Sequence, residues 1–339
     1  MAPVRRRVVF VVGAERSGTS VMAGALQQLG MHVPQPEVQQ FAEPQWVADF
    51  HDELLDRSNI GATDVRPTAW FEAAKVNTFG PLRVEAADWL DGQFSEETPE
   101  LVIKEPRLAW FLGLWRSAAM RCGAGPSYVA MLRPVTEVVG SRERNYTSGR
   151  SSTGFGEVTR TAAWVNMMLH IERGTRGSAR AFVRYDDMLT DWTIPLFRIG
   201  TTLDLQAVQE ANANDIRKVH AFVDPGLKRA TLTWDDIEVP RRLREIAEES
   251  WQALNKLADE GGDTPDVHEL LDELRAGYAE LYEEADAIAQ SSVLAARREA
   301  EREAAATRPP GGARLSHGVR AMVPAGARRG LRKAFGRER

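Results

Sequence analysis

A loop rich in glycine and hydroxyl side chains near the N-terminus has the composition of an anion site. Residues 13 to 20 read GAERSGTS, which is the spacing of the phosphate loop GxxxxGK[ST] with threonine in the lysine position. Backbone N–H groups of such a loop, together with the positive end of the following helix, bind phosphate or sulfonate oxygens. Arg16 and the hydroxyl groups of Ser17, Thr19 and Ser20 offer further donors. The alternative is a glycine turn that serves only the change from strand to helix.

An arginine and a serine eight residues apart form a second candidate anion site. Arg133 follows the apolar run 128 to 132, and Pro134 opens a helix at a position where its missing N–H costs nothing. Ser141 lies two turns along, on the helix face nearest the strand end. We therefore predict that Arg133 and Ser141 converge on one phosphate. A surface salt bridge of Arg133 is the alternative.

Magnesium chemistry would need an acidic residue at the end of a neighbouring strand. Glu105 could take that role, but Lys104 precedes it directly and Arg133 ends the next strand. These cations predict a crevice in which side chains, without a metal, neutralise the phosphates of a nucleotide.

A parallel sheet must place these groups at one edge. Short apolar runs alternate with stretches of helical periodicity, which is typical of a sheet covered on both faces; the runs are residues 8–12, 101–103, 128–132 and 181–183. We predict an α/β fold, a P-loop-type parallel sheet flanked by helices, with a C-terminal helical extension. The predicted divisions are a core at 1–238, helices at 239–307 and a basic, flexible tail at 308–339.

Composition and charge narrow the setting. The chain has 339 residues, is 43% hydrophobic, and has a single cysteine, Cys122, so that an internal disulfide is excluded and a reducing compartment is favoured. No apolar run approaches the ~20 residues of a membrane span, and we predict a cytoplasmic protein. The segment 306–339 has nine Arg or Lys residues against one acidic residue. This tail is predicted either to contact the anionic inner face of a membrane or to be solvated and disordered; nucleic-acid binding is less supported.

Taken together, the motifs resemble those of sulfotransferases that use 3′-phosphoadenosine 5′-phosphosulfate (PAPS). GAERSGTS at 13–20 and LRPVTEVVGS at 132–141 resemble the 5′-phosphosulfate loop and the 3′-phosphate motif of that family. KEPRLAWFLGLW at 104–115 and VRYDDMLTDW at 183–192 look like further blocks of its bacterial, carbohydrate-type members. The resemblance extends from about residue 7 to about residue 235.

The resemblance implies a set of ligands for the donor. The 5′-phosphosulfate would be held by Arg16, Ser17, Gly18, Thr19 and Ser20, and the 3′-phosphate by Arg133 and Ser141. The RKGxxG segment of the cytosolic animal enzymes is missing, and residues 223–229 resemble its bacterial replacement, so Lys228 and Arg229 are candidates for closing over the donor. The implied reaction is sulfuryl transfer from PAPS to a hydroxyl of a glycan, glycolipid or glycosylated metabolite, with release of 3′,5′-ADP and without a metal.

Catalytic roles are less determined. Arg16 is our candidate for the contact to the leaving oxygen, and Glu43 is the leading base because carbohydrate-type relatives have a glutamate at about this distance after the loop. The alternative for Glu43 is an acidic residue that favours the start of a helix at Pro44. His51 is the second candidate base, and a packed helix face is its alternative. Lys104 and Glu105 are possible accessories.

The acceptor is less defined still. Arg66, Trp70 and Phe71 could form an aromatic and cationic wall for a sugar, or Trp70 and Phe71 could belong to the core. Two other functions stay open: a P-loop kinase that uses ATP and magnesium, and a non-catalytic nucleotide-binding protein.

Overall fold

A computed structural model describes residues 5–38, 42–146, 154–227 and 232–306, and within these ranges it leaves out the side chains of 141–146, 154–155, 227 and 304–306. The side chain of Ser141, the residues Lys228 and Arg229, and the basic tail from 308 therefore lie outside the described residues.

The described strands form a four-stranded parallel sheet in the order β2-β1-β3-β4. Their bounds are β1 (Arg7–Val12), β2 (Glu100–Lys104), β3 (Gly125–Leu132) and β4 (Ala179–Arg184). The sheet is apolar on both faces because helices cover both, which is why the strands read as near-continuous hydrophobic runs. All four carboxyl ends meet at one edge, so the predicted α/β fold is confirmed and the motif residues lie along that edge.

Helices follow each strand. In chain order they are α1 (Thr19–Gln28), α2 (Gln45–Ser58), α3 (Ala69–Asn77), α4 (Gly80–Asp91), α5 (Leu112–Arg121), α6 (Val135–Tyr146), α7 (Gly154–Thr175), α8 (Tyr185–Asp191), α9 (Thr193–Thr202), α10 (Gln206–Gln209), α11 (Ala213–Phe222), α12 (Arg241–Lys256) and α13 (Pro265–Ala306). A 3₁₀ turn at Pro106–Phe111 precedes α5.

Two apolar layers hold the sheet between them. Successive side chains of β1 alternate between the layers: Phe10 belongs to the larger layer, and Val9 and Val11 belong to the smaller. The larger layer contains buried residues of α2 to α7, α12 and the first turns of α13, and the smaller contains those of α1 and α8 to α11. β1, β2 and most of β3 are thereby removed from water on both sides, whereas β4 is only partly buried.

The C-terminal helices α12 and α13 lie within the predicted helical extension, 239–307. Helix α12 packs against α7, and the first half of α13 buries Leu271, Leu274 and Tyr278 in the larger layer. By its internal contacts the chain divides into two units, Met1–Glu284 and Ala285–Arg339. Among the described helices, none combines the length and the apolarity that a bilayer crossing requires.

A buried carboxylate connects α7 to its neighbours. Glu172 is fully buried and accepts two hydrogen bonds of 2.7 Å from Arg176, while Arg180 at the start of β4 contacts the same carboxylate at 3.4 Å. Arg275 of α13 lies 3.5 Å from it. These contacts compensate the buried charge and connect the first half of α13 to α7.

Candidate functional site

The loop between β1 and α1 is shaped by backbone conformation and by close packing. Gly18 has φ 93°, and a Cβ added there would lie 2.1 Å from the ring of Tyr185, so both the backbone and the available space require glycine. The Ser17 hydroxyl is buried and donates to the carbonyl of Ala14 at 2.6 Å. Its hydrogen bond therefore stabilises the turn, and its backbone N–H also donates to Ala14, at 3.2 Å.

The first turn of α1 is open to an anion. Gly18 is its N-cap residue, and no side chain of the described chain caps it. The leading N–H groups of a helix have no partner within the helix, and they carry the positive end of its dipole. The loop thus has the geometry on which the predicted anion site depends.

A lysine at the end of β2 joins the loop to the candidate base. The Lys104 ammonium donates to the Ser20 hydroxyl at 3.0 Å and forms an ion pair with the Glu43 carboxylate. The Lys104 side chain is 3% exposed, and that of Glu43 is 16% exposed. The carboxylate is therefore held beside the first turn of α1 while part of it stays accessible. The alternative for Glu43 was an acidic residue that favours the start of a helix. Helix α2 begins at Gln45, but the Glu43 side chain contacts Lys104.

The next residue, Glu105, is directed the other way, into α2. Its buried carboxylate contacts Nδ1 of His51, while the indole of Trp115 donates to Nε2 of His51 at 2.8 Å. Because an indole can only donate, Nε2 is the acceptor and the His51 proton lies on Nδ1. Both ring nitrogens are engaged and the ring is fully buried. His51, our second candidate base, thus presents no nitrogen to a substrate and acts as a packing and positioning residue.

Arg107 completes the attachment of α2. Its backbone N–H and Nε donate to Glu105 at 2.9 and 2.7 Å, and its other nitrogens reach the carbonyl of Ala48 at 3.0 Å and the carboxylate of Asp52. Burial by itself raises the pKa of Glu105, but His51 and Arg107 outweigh burial and hold that pKa below its usual value. In the KEPR motif at 104–107, Lys104 therefore faces the loop, and Glu105 and Arg107 anchor α2. Helix α2 follows Glu43 in the chain.

Arg133 is directed toward the loop. Its Nη1 donates to the backbone carbonyl of Arg16 at 2.9 Å, its Nε donates to Glu137 at 3.0 Å, and its guanidinium lies 4.7 Å from the ring centre of Tyr185. The two predicted anion sites thus adjoin one another. Arg133 also lines a cavity of about 270 Å³, together with Arg184, Tyr185, Trp251 and Asn255.

A second, smaller cavity adjoins the loop from the side of α6 and α7. It has about 60 Å³ and is lined by Ala14, Arg16 and mostly apolar side chains, among them Trp164. The indole Nε1 of Trp164 is buried and finds no hydrogen-bond acceptor in the described ranges.

The structure gathers most of the predicted site at one sheet edge. Arg16, Ser17, Gly18, Thr19 and Ser20 lie in the loop or the first turn of α1, and Arg133 and Glu43 lie on either side of them, whereas His51 is directed into the core. The backbone of Ser141 lies in α6. Sequence reasoning missed the role of Tyr185, which packs on Gly18 and under Arg133. A signal was present in the sequence, since Tyr185 lies two residues after the run 181–183 and inside the block 183–192.

Comparisons with known proteins find similar solved structures, among them two sulfotransferase domains. No family model and no curated protein matches the chain. It is similar to the sulfotransferase domain from the Synechococcus PCC 7002 olefin synthase, at 17% identity and TM-score 0.39 over 72% of this chain and 94% of that one. It is also similar to the sulfotransferase domain from the curacin biosynthetic pathway, at 15% identity and TM-score 0.38 over 72% of this chain and 96% of that one. Both neighbours are sulfotransferase domains, and at these TM-scores the similarity does not establish an activity for this chain.

Proposed function

We propose that this chain transfers a sulfuryl group from PAPS to a hydroxyl group of an acceptor and releases 3′,5′-ADP. The observation that carries the proposal is the polar chain from Glu43 through Lys104 to Ser20. It holds a carboxylate beside the helix start to which the resemblance assigns the phosphosulfate. A base and an anion site then lie within reach of one substrate.

The residues at the sheet edge suit a donor with anions at both ends of one adenosine. The open first turn of α1, with Thr19 and Ser20, would hold the 5′-phosphosulfate, and Arg133 would hold the 3′-phosphate. When bound, PAPS supplies an electrophilic sulfur and a 3′,5′-ADP leaving group. Arg16 and Lys104 would balance the charge on the leaving oxygen.

Glu43 is the proposed general base. Its carboxylate would accept the proton of the acceptor hydroxyl as that oxygen forms its bond to sulfur, while the bond from sulfur to the bridging oxygen of 3′,5′-ADP breaks. Lys104 supports this role because its ion pair with Glu43 fixes the position of that carboxylate. From the resemblance, we propose a glycan, glycolipid or glycosylated metabolite as the acceptor.

A kinase reading loses its main support in the geometry. Glu105, the carboxylate that the sequence offers for magnesium, is bound to His51 and Arg107 and is 3% exposed. The other alternative is a non-catalytic nucleotide-binding protein, and an assay of sulfuryl transfer distinguishes it from the enzyme.

Calorimetry tests the nucleotide site. We expect 3′,5′-ADP to bind in the presence of EDTA, and Arg133→Ala to weaken that binding about 10- to 150-fold, the equivalent of ~1.5–3 kcal/mol for a hydrogen bond to a charged group. Arg217→Ala, on the exposed face of α11, is the matched control and should bind like the wild type. Binding of ATP with magnesium but not of 3′,5′-ADP would instead favour the kinase.

Transfer of ³⁵S from PAPS to a bacterial cell-envelope extract tests the base. Glu43→Gln should lower the rate about 10²- to 10⁴-fold and leave the 3′,5′-ADP affinity unchanged. The control is Glu53→Gln, an exposed carboxylate of α2. If Glu43→Gln retains full activity, Glu43 is not the base; if the wild type binds 3′,5′-ADP and labels no acceptor, the non-catalytic alternative holds.

A further inference from the structure

A cavity lined by arginines lies between α3, α5, α7 and α13, apart from the loop. It has about 260 Å³, and none of the described residues that line it is acidic. Four of them are arginines, namely Arg116, Arg173, Arg176 and Arg275. Cations concentrated in a concave site attract anions, because the low-dielectric walls focus the field.

The four guanidinium groups fall into two classes. Arg176 and Arg275 are paired with Glu172 and Asp272, which neutralise them. Arg116 and Arg173, by contrast, form no hydrogen bond and no ion pair within the described chain, and both are exposed. The four cations therefore exceed their two carboxylate partners by two charges.

An aromatic residue orients one of the unpaired cations without neutralising it. The Arg173 guanidinium lies 5.4 Å from the ring centre of Trp70, which is 39% exposed and lines the same cavity. Such a cation–π contact leaves the N–H groups of the arginine free to donate in the plane of the guanidinium. Trp70, which the sequence offered as part of an acceptor wall, thus lies beside a cation, whereas Arg66 is bound to Asp64.

The other polar groups of the cavity are neutral and can assist. Burial lowers the pKa of His170 to about 4, so its ring is uncharged at neutral pH. The Asn166 amide donates to the carbonyls of Asp64 and Arg66 at 2.9 Å, which fixes its orientation. The cavity thereby combines two uncompensated cations with a neutral, ordered wall.

We propose that this cavity binds a small molecule through an oxyanion, a phosphate or sulfate ester or a carboxylate, held by Arg116 and Arg173. A volume of about 260 Å³ admits a small organic anion and not a folded partner. This site does not depend on the sulfuryl transfer proposed above. Helix α7 lines both this cavity and the small one beside the loop, so the two sites share a wall.

Crystal soaking and calorimetry on the full chain together test this proposal. Tungstate, a heavy tetrahedral anion, should give an anomalous peak between Arg116 and Arg173. In solution, inorganic phosphate and acetate are titrated separately, which distinguishes an ester from a carboxylate ligand. The double variant Arg116→Gln/Arg173→Gln should lower the affinity for whichever anion binds by at least tenfold. Arg298→Gln, which replaces an exposed arginine of α13, should not change that affinity. Arg133→Ala should leave this binding event in place, which separates it from binding at the loop.

Each outcome either supports or overturns the proposal. If tungstate gives no peak in the cavity, and the double variant changes the affinity of neither phosphate nor acetate, the proposal is overturned. A peak accompanied by unchanged affinity in the double variant means an adventitious ion only, and it also overturns the proposal. Melting temperatures check folding, and the single variant Arg116→Gln, which removes no hydrogen bond among the described residues, repeats the test if the double variant is unstable.

Discussion

Replacing Glu105 with alanine should destabilise the protein and misplace the candidate base together. The carboxylate is 3% exposed and accepts from His51, from the Arg107 backbone N–H and from Arg107 Nε. Alanine leaves a buried histidine donor and a largely buried guanidinium without this partner. Because α2 is attached to the end of β2 through these contacts, its N-terminal turn and Glu43 lose their support.

The magnitude follows from burial. Removing one member of a buried ion pair costs about 3–5 kcal/mol, because the remaining charge stays desolvated. Glu105→Gln keeps one acceptor oxygen, so a smaller loss of about 1–3 kcal/mol is expected. At ~2–4 °C per kcal/mol for a chain of this size class, the alanine variant should melt roughly 6–20 °C below the wild type.

Urea denaturation and thermal melting measure these losses, and Glu53→Ala is the control because that carboxylate is 46% exposed on the same helix. The control should change stability by less than about 0.5 kcal/mol. The conservative Glu105→Gln should also lower the rate of sulfuryl transfer with an unchanged 3′,5′-ADP affinity, which a merely global loss of stability does not produce. A loss below about 1 kcal/mol in Glu105→Ala would refute our account of the buried pair.

The same pair has a defined pH dependence. Since the folded pKa of Glu105 lies below its ordinary value of 4.5, its stabilising effect is present above that value and is lost as the pH falls through the folded pKa. The stability difference between the wild type and Glu105→Gln should therefore narrow below about pH 4.5. A constant difference down to pH 3 would contradict this assignment.

Three further predictions concern other parts of the molecule. Gly18→Ala should abolish 3′,5′-ADP binding in calorimetry, because Gly18 has φ 93° and a Cβ added there would clash with the ring of Tyr185. Binding at wild-type strength would refute this. Glu172→Ala should cost about 3–5 kcal/mol in urea denaturation, since Arg180, 5% exposed, loses a buried partner; a cost under about 1 kcal/mol would contradict it. Hydrogen bonding by Arg180 holds the pKa of Asp263 at about 2. The contribution of the Asp263 carboxylate to stability should therefore be lost as the pH falls from about 4 to 2. Acid unfolding curves of Asp263→Asn should not show that loss.

The fold was accessible from the sequence because strand and helix formation leave local patterns. The apolar runs at 8–12, 101–103, 128–132 and 181–183 were each recognised, although the strands extend one to three residues further. Helices α12 and α13 also lie within the helical extension predicted at 239–307. The strand order and the packing of α12 against α7 depend on contacts between distant segments, which no local pattern encodes.

The candidate site divides in the same way. Residue types and spacing were enough to indicate an anion loop at 13–20 and a cation at Arg133, because glycine conformation and helix starts are local properties. Side-chain direction was not accessible: Lys104 and Glu105 are adjacent in a strand end, yet one is directed toward the loop and the other into α2. Glu43 was the leading candidate base and His51 the second, and packing left Glu43 partly exposed and buried His51 completely. Which titratable group meets a substrate is a matter of burial and pairing, and these arise only when segments 50 to 100 residues apart come together.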